Sequence, residues 1–199
     1  MAKERLKSPR ARMFVALDLP GSVREGLGAW GRAELADPAL RPVRPEFLHV
    51  TLAFLGYRPE KDAGRVAAAI EECAGPAPLV ELGEVTAKPP RRPRLFALPA
   101  HSPGTELMQA RLSDLLASER LYEPEKRPFW PHVTVARVRP EGRGSKRPMR
   151  VERRPGELPR GLSAPFYGVR LTLYRSELQP QGARYAPMAQ VELPGAGQQ

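Results

Sequence analysis

Cysteine is almost absent from this 199-residue chain: Cys73 stands alone, so no intramolecular disulfide can form and no thiolate zinc cluster can be assembled. That usage suits a reducing cytoplasm. Long apolar runs are also missing, and no stretch approaches the roughly 20 residues that a membrane helix needs. Met1 to Arg12 is basic but lacks the apolar core of a secretory signal, and the apolar run Met13 to Leu17 stops at Asp18. Export and membrane association are therefore not expected. Histidine is scarce too, with three in the chain, which makes the placing of each one informative.

What the chain has in excess is positive charge, +10 net, and it is unevenly spread. Residues 1–12 carry five basic side chains against one acid. Residues 137–154 carry Arg137, Arg139, Arg143, Lys146, Arg147, Arg150, Arg153 and Arg154 against Glu141 and Glu152. A third group, Lys88, Arg91, Arg92 and Arg94, contains no acid. Clustered arginine suits phosphate because a guanidinium can hold two oxygens at once, although the same charge also serves a merely solvated surface. Glycine (17) and proline (24) make about a fifth of the residues, below the level of an unpatterned disordered sequence, so a folded body with stiff loops is expected.

Strand-like and helix-like segments alternate. Residues 12–19 read as an apolar strand, and Ser22 with Glu25 has the spacing of a capping box ahead of a helix that buries Val23, Leu27 and Trp30. Phe47 to Leu55 reads as a strand ended by Gly56. Val66, Ile70 and Cys73 mark a second helix, stopped by Gly75 and Pro76. Leu79 to Ala87 and Arg94 to Pro99 read as strands around a basic turn. Leu107, Leu112, Leu115 and Leu116 mark a third helix from about Thr105, and His132 to Val138 a further strand. Residues 139–164 read as a long exposed loop, followed by strands at Phe166 to Tyr174 and Tyr185 to Leu193 around a turn at Pro180 to Gly182. The order suggests layered helices and strands, and each half holds a helix followed by a strand with the same short motif, an echo of duplication.

That motif carries the functional reading. His49-Val50-Thr51-Leu52 and His132-Val133-Thr134-Val135 both run His, apolar, Thr, apolar, and alanine follows each as Ala53 and Ala136. With five threonines in the chain, two of three histidines finding one two positions later by accident is roughly a 0.2% event. Strand alternation puts each histidine, threonine and alanine on one face, with Val50, Leu52 and Phe54, or Val133 and Val135, on the other. Two imidazoles can act as an acid and a base near neutral pH, and threonine hydroxyls and arginines can bind phosphate oxygens. In-line displacement at phosphorus needs that set. A single motif would be read as an ordinary strand, and a metal site is disfavoured because no carboxylate lies at ligand spacing beside either histidine. His101, in a turn between Ala100 and Ser102, reads as a surface residue.

With these residues in view, the chain resembles the 2H phosphoesterase superfamily, defined by two His-x-Thr/Ser-x motifs, and within it the RNA 2',3'-cyclic phosphodiesterases, also called 2'-5' RNA ligases. Arg12 to Pro20 resembles the family's opening strand, Leu48 to Gly56 and Pro131 to Arg137 its two motif strands, and Leu173 to Tyr185 its closing hairpin. The resemblance implies an α+β fold with two pseudo-symmetric lobes of antiparallel sheet, helices outside and the active-site cleft between them. It implies a single bilobal domain over residues 12–193, including the basic loop 139–164, between a basic tail (1–11) and a short C-terminal tail (194–199). It further implies a metal-independent, cofactor-free phosphodiesterase in which His132 activates water and His49 protonates the leaving 3' oxygen. A 2',3'-cyclic phosphate at an RNA end then opens to a 2'-phosphate, and reversal with a 5'-hydroxyl gives 2'-5' ligation. Thr51 and Thr134 complete the catalytic set, and the expected state is a cytoplasmic monomer.

Arg137 holds the place where the family often has a basic residue that contacts substrate. On a straight strand it faces away from His132, so it enters the cleft only through a bulge or twist, and otherwise sits on the rim. Phe14 reads as core packing more readily than as a base-stacking ring. Two other functions remain open on the sequence: an RNA-end-binding module without turnover, and a phosphodiesterase for small cyclic nucleotides such as ADP-ribose cyclic phosphate.

Overall fold

The computed structural model describes residues 9–179 and 182–195. Most of the basic N-terminal cluster, Pro180 and Gln181 of the expected turn, and residues 196–199 lie outside that set. The strands are β1 (Arg10–Asp18), β2 (Leu40–Pro42), β3 (His49–Pro59), β4 (Leu79–Leu82), β5 (Thr86–Lys88), β6 (Leu95–His101), β7 (His132–Val138), β8 (Phe166–Tyr167), β9 (Arg170–Gln179) and β10 (Gly182–Glu192). Three α-helices join them: α1 (Gly21–Glu34), α2 (Ala63–Cys73) and α3 (Pro103–Ser118).

All strand pairs are antiparallel, in the order β10-β9-β1-β3-β7-β6-β4-β8, with β2 also on β7 and β5 also on β6. The path falls into two halves, each built as strand, helix, motif strand: β1-α1-β3 and β6-α3-β7. β1 sits inside its half, and every residue from Met13 to Asp18 is buried, which explains its nearly unbroken apolar run. The halves meet at the motif strands through one bridge, Val50 to Val133. Extended by one residue each way, that register sets His49 opposite Thr134 and Thr51 opposite His132, and beyond it the strands part to leave a cleft.

Several sequence expectations need correction. The capping box at Ser22 and Glu25 does not form: Pro20 is the N-cap residue of α1 and its carbonyl accepts from Arg24 N (3.0 Å), so Ser22 already lies inside the first turn. β3 runs on through Gly56, which takes a φ of +69° that other residues adopt only with strain. Leu79 to Ala87 is two strands, because the chain leaves β4 at Gly83. Phe166 to Tyr174 is also two, β8 on β4 and β9 on β1, and the chain changes halves at Gly168, where a Cβ would lie 2.6 Å from the buried Leu17 side chain. His101 is exposed, but it ends β6 opposite Glu81 instead of sitting in a turn. In α3 the buried stripe is Thr105, Met108, Leu112 and Leu116, which leaves Leu107 off phase and 73% exposed. That helix is capped by Ser102 Oγ, which accepts from Thr105 N (3.1 Å), with Pro103 at its first position.

Residues 139–164 hold little regular structure, with one Pro140 to Pro148 bridge and a short turn at Arg160–Leu162, yet they are fastened to the body. Asp37 Oδ2 accepts from the backbone N–H groups of Glu152 and Arg153 (2.8 Å each). The Arg153 amide hydrogen bond leads in holding the Asp37 carboxyl below its usual range. Glu34 Oε2 accepts from Gly156 N (3.0 Å), Trp30 Nε1 donates to Glu157 O (3.0 Å), and Val151, Leu158 and Leu162 pack on the core. The sparse apolar residues of the segment are its anchors, and its arginines face solvent.

Candidate active site

The two motif strands have the same local anatomy. In both, histidine and threonine are half-buried, the valine between them is buried, the next two residues are both buried, and the one after is exposed. Two successive buried residues mark a bulge. Across β1–β3, Ala16 pairs with Thr51 and Val15 with Ala53, which leaves Leu52 extra. Across β6–β7, Ala97 pairs with Thr134 and Phe96 with Ala136, which leaves Val135 extra. Each bulge flips strand parity after the threonine. Ala53 and Ala136 therefore turn into the core and do not share the histidine face, and the next residues, Phe54 and Arg137, turn into the cleft. The straight-strand placing of Phe54 on the back face is corrected in the same way. Arg137 enters the cleft through the bulge that its parity requires.

The cleft encloses about 500 Å³ and is lined by His49, Thr51, His132, Thr134, Phe54 and Arg137, together with Arg12, Arg41, Arg44 and Arg184. Of those five arginines, Arg44 is paired with Glu46 (3.2 Å), and the others have no carboxylate partner among the described residues. His49 Nδ1–H donates to Phe47 O and His132 Nδ1–H to Trp130 O, both at 2.7 Å. This fixes the tautomer alike in the two rings and leaves each Nε2 unprotonated and able to accept a hydrogen bond. Thr51 Oγ1 lies 3.1 Å from His49 Nε2 and donates to it while the ring is neutral.

The surroundings of the two rings differ. Phe14 is buried and stacks on His49 (centroids 5.0 Å apart), so it packs as expected, but against a motif residue. Tyr185 meets the same imidazole edge-on. Asp18 follows β1 into register with His49 and is only 2% exposed; Arg170 Nε, Thr172 Oγ1 and Tyr174 OH each donate to it at 2.9 Å. His132 instead stacks on Trp130 (4.1 Å, 16°), whose ring carries Lys88 Nζ 4.5 Å from its centroid. Burial pushes the His49 pKa down to about 4; the Phe47 carbonyl and Asp18 oppose this, while His132 and Arg137 add to it. Burial also lowers His132, with Arg137 and Lys88 contributing through their charge. Both rings are neutral at pH 7 in the free protein.

The sequence reading missed Trp130, Lys88, Phe54 and the lining arginines Arg12, Arg41, Arg44 and Arg184. One signal was available: Phe47-Leu48-His49 and Trp130-Pro131-His132 both set an aromatic residue two places before the histidine, and its carbonyl is the Nδ1 acceptor. No cluster of three or more His, Cys, Asp or Glu side chains able to hold a metal occurs among the described residues, and Asp18 is fully engaged by its three donors. Nor is any helix among them long and apolar enough to cross a membrane.

Comparison with known proteins fits this geometry. Residues 20–155, which include both motifs, match the model of the 2'-5' RNA ligase superfamily. The chain belongs to that superfamily. Two curated relatives named RNA 2',3'-cyclic phosphodiesterase are similar to this chain over most of their length. The one from Thermus thermophilus is 32% identical over 192 residues, covering 92% of this chain and 91% of its own. The one from Escherichia coli K12 is 29% identical over 183 residues, covering 89% and 93%. Among solved structures, TT0787 of T. thermophilus superposes with a TM-score of 0.74 at 27% identity, over 92% of this chain and 98% of that one. E. coli LigT complexed with 3'-AMP gives 0.74 at 25% identity over 94% and 99%. The expected α+β, two-lobed 2H phosphoesterase fold is thereby established.

Proposed function

We propose that this protein is a metal-independent RNA 2',3'-cyclic phosphodiesterase that opens a terminal cyclic phosphate to a 2'-phosphate. The observation that carries this reading is the pair of Nε2 atoms presented to one arginine-lined cleft by two strands with the same tautomer-fixing bond and the same bulge. The relatives' names support the choice of substrate.

In the proposed reaction His132 Nε2 takes a proton from water as its oxygen bonds to phosphorus. The bond from phosphorus to O3' breaks, and His49 Nε2 delivers a proton to O3'. Thr51 and Thr134 donate to the non-bridging oxygens, and the Arg137 guanidinium stabilises the charge that gathers there. His49 must carry a proton for this, and with a pKa of about 4 it does not do so in the empty cleft. The bound phosphodiester supplies the negative charge that raises its proton affinity. Protonation of Nε2 ends its role as acceptor and releases the Thr51 hydroxyl toward phosphate. A 5'-hydroxyl in the place of water forms a 2'-5' linkage by the same steps.

The test is incubation, in chelator, of an RNA oligonucleotide ending in a 2',3'-cyclic phosphate with the parent protein and with His49→Ala and His132→Ala, followed by identification of the product end. A 2'-phosphate from the parent and from neither variant is expected. An intact ring in every reaction would sink the proposal in favour of a small cyclic nucleotide substrate or a binding role.

A further inference from the structure

The basic side chains fall into two populations. Arg147, Arg150 and Arg153 are each paired with a carboxylate, of Glu141, Glu152 and Glu34. On the first-motif side, Arg175 is paired with Glu60 and Glu177, whereas Arg12 and Arg184, which line the cleft itself, are not paired among the described residues. By contrast, Lys88, Arg91, Arg92, Arg94, Arg137 and Arg154 are all exposed, and none has a carboxylate partner among the described residues. These cations are scattered in sequence but contiguous in the fold. Arg137 is the register partner of Arg41 on β2 and of Leu95 on β6. The carbonyl of Arg94, next to Leu95, accepts from Val138 N (2.9 Å). Arg154 Nη2 reaches Pro90 O (3.5 Å), which brings the long loop against the β5–β6 turn. Lys88, at the other end of that turn, lies over the Trp130 ring that backs His132.

We infer that this row is a docking track for the phosphate backbone of a single RNA strand, receiving the nucleotides 5' to the end that the cleft processes. The inference rests on the proposed function and adds to it where the rest of the substrate lies. Charge complementarity selects the partner: unpaired cations leading out of an arginine-lined cleft fit a polyanion with regularly spaced charges. The backbone that carries the track is anchored, because one border is a sheet and the other is the loop tied to Asp37, Glu34 and Trp30. Phosphate contacts of this kind position a strand without reading its sequence, so the track confers preference for chain length and not for base.

The discriminating protein is the triple variant Arg91→Gln, Arg92→Gln and Arg154→Gln. It is compared with the parent and with Arg65→Gln/Arg111→Gln, whose guanidinium groups on the outer helices already bond to Glu119 and to the Glu72 carbonyl. Binding of a fluorescent 12-nucleotide RNA ending in a 2'-phosphate is followed by anisotropy across a salt series. The triple variant should bind at least about tenfold more weakly at low salt, with the slope of log K against log salt flatter by about two. The helix variant should match the parent. In turnover, the parent's preference for a 12-nucleotide cyclic phosphate over the mononucleotide, as a ratio of kcat/KM, should shrink in the triple variant through KM. Equal affinity and equal salt slope in the triple variant and the parent would overturn the track. Because binding is read without turnover, a parent that binds RNA through these residues and opens no ring would defeat the proposed function and leave the track standing.

Discussion

The two motif strands are the same object in two settings. Backbone, tautomer-fixing bond and bulge coincide at His49 and His132, but the residue that each bulge turns into the cleft is Phe54 in one half and Arg137 in the other. Behind His49 lie Phe14, Tyr185 and a buried carboxylate; behind His132 lie Trp130 and a lysine. Duplicated backbone supplies the symmetry that acid and base need, and side chains beyond the motif break it. A four-residue motif therefore marks a candidate acid and base and cannot assign which is which.

The largest effect should come from the imidazoles. His49→Ala and His132→Ala are each expected to lose about 10² to 10⁴ in kcat/KM for an RNA cyclic phosphate end. Near-parental turnover in either would break the equivalence of the two strands. Arg137→Ala comes next, with a loss on the order of 10² to 10³ mainly in kcat, as for removal of a donor to transition-state charge. Arg137→Lys should recover only part of it, since an ammonium lacks the planar fork that meets two phosphate oxygens in parallel. A change confined to KM would reduce Arg137 to a rim contact.

The pH profiles test the difference in setting. Both free-protein pKa values lie below 6.5, so the bell of kcat/KM should centre below 6.5, while that of kcat, read on the loaded enzyme, should lie higher because bound phosphate favours protonated His49. Coincident optima would remove the proposed proton uptake. The same depression has a stability consequence. The unfolded chain binds a proton at position 49 near pH 6.5 and the folded chain only near 4, so its contribution is present above pH 6.5 and is lost as pH falls toward 4. Between pH 7 and pH 4.5 the parent should lose about 2 to 3 kcal/mol more than His49→Asn, read from urea midpoints and slopes. Parallel losses in the two proteins would show that His49 is not depressed by burial.

Much of this was legible in the sequence because it was local. Both motif strands, the α2 stripe of Val66, Ile70 and Cys73, and the closing hairpin follow from period and turn chemistry. What escaped depends on partners far along the chain. The bulges at Leu52 and Val135 are set by β1 and β6, so the faces of Ala53, Phe54 and Arg137 could not be read from strand parity alone. The break at Gly168 follows from the packing of Leu17, and the loop's anchorage from Asp37 and Trp30, more than 100 residues away in the chain. The aromatic residue two places before each histidine was visible, but its carbonyl's role required the folded turn.

The smallest expected effect sharpens the comparison most directly. Phe54 is 41% exposed, with the Arg12 guanidinium 4.6 Å from its ring centroid, so it holds the bulge position that Arg137 holds in the other half but offers a flat apolar surface. Such a ring suits a nucleobase, and base stacking on an aromatic side chain is worth about 1 to 3 kcal/mol. Phe54→Ala should therefore raise KM for an RNA end by about fivefold or more with little change in kcat, and Phe54→Tyr should restore it. Stability should fall by less than about 1 kcal/mol, since the ring is half in solvent and its cation–π contact is exposed. An unchanged KM would mean that this half of the cleft is only a wall. A loss in kcat matching that of Arg137→Ala would mean that the two bulge positions act together on the reacting phosphate and that the asymmetry lies elsewhere.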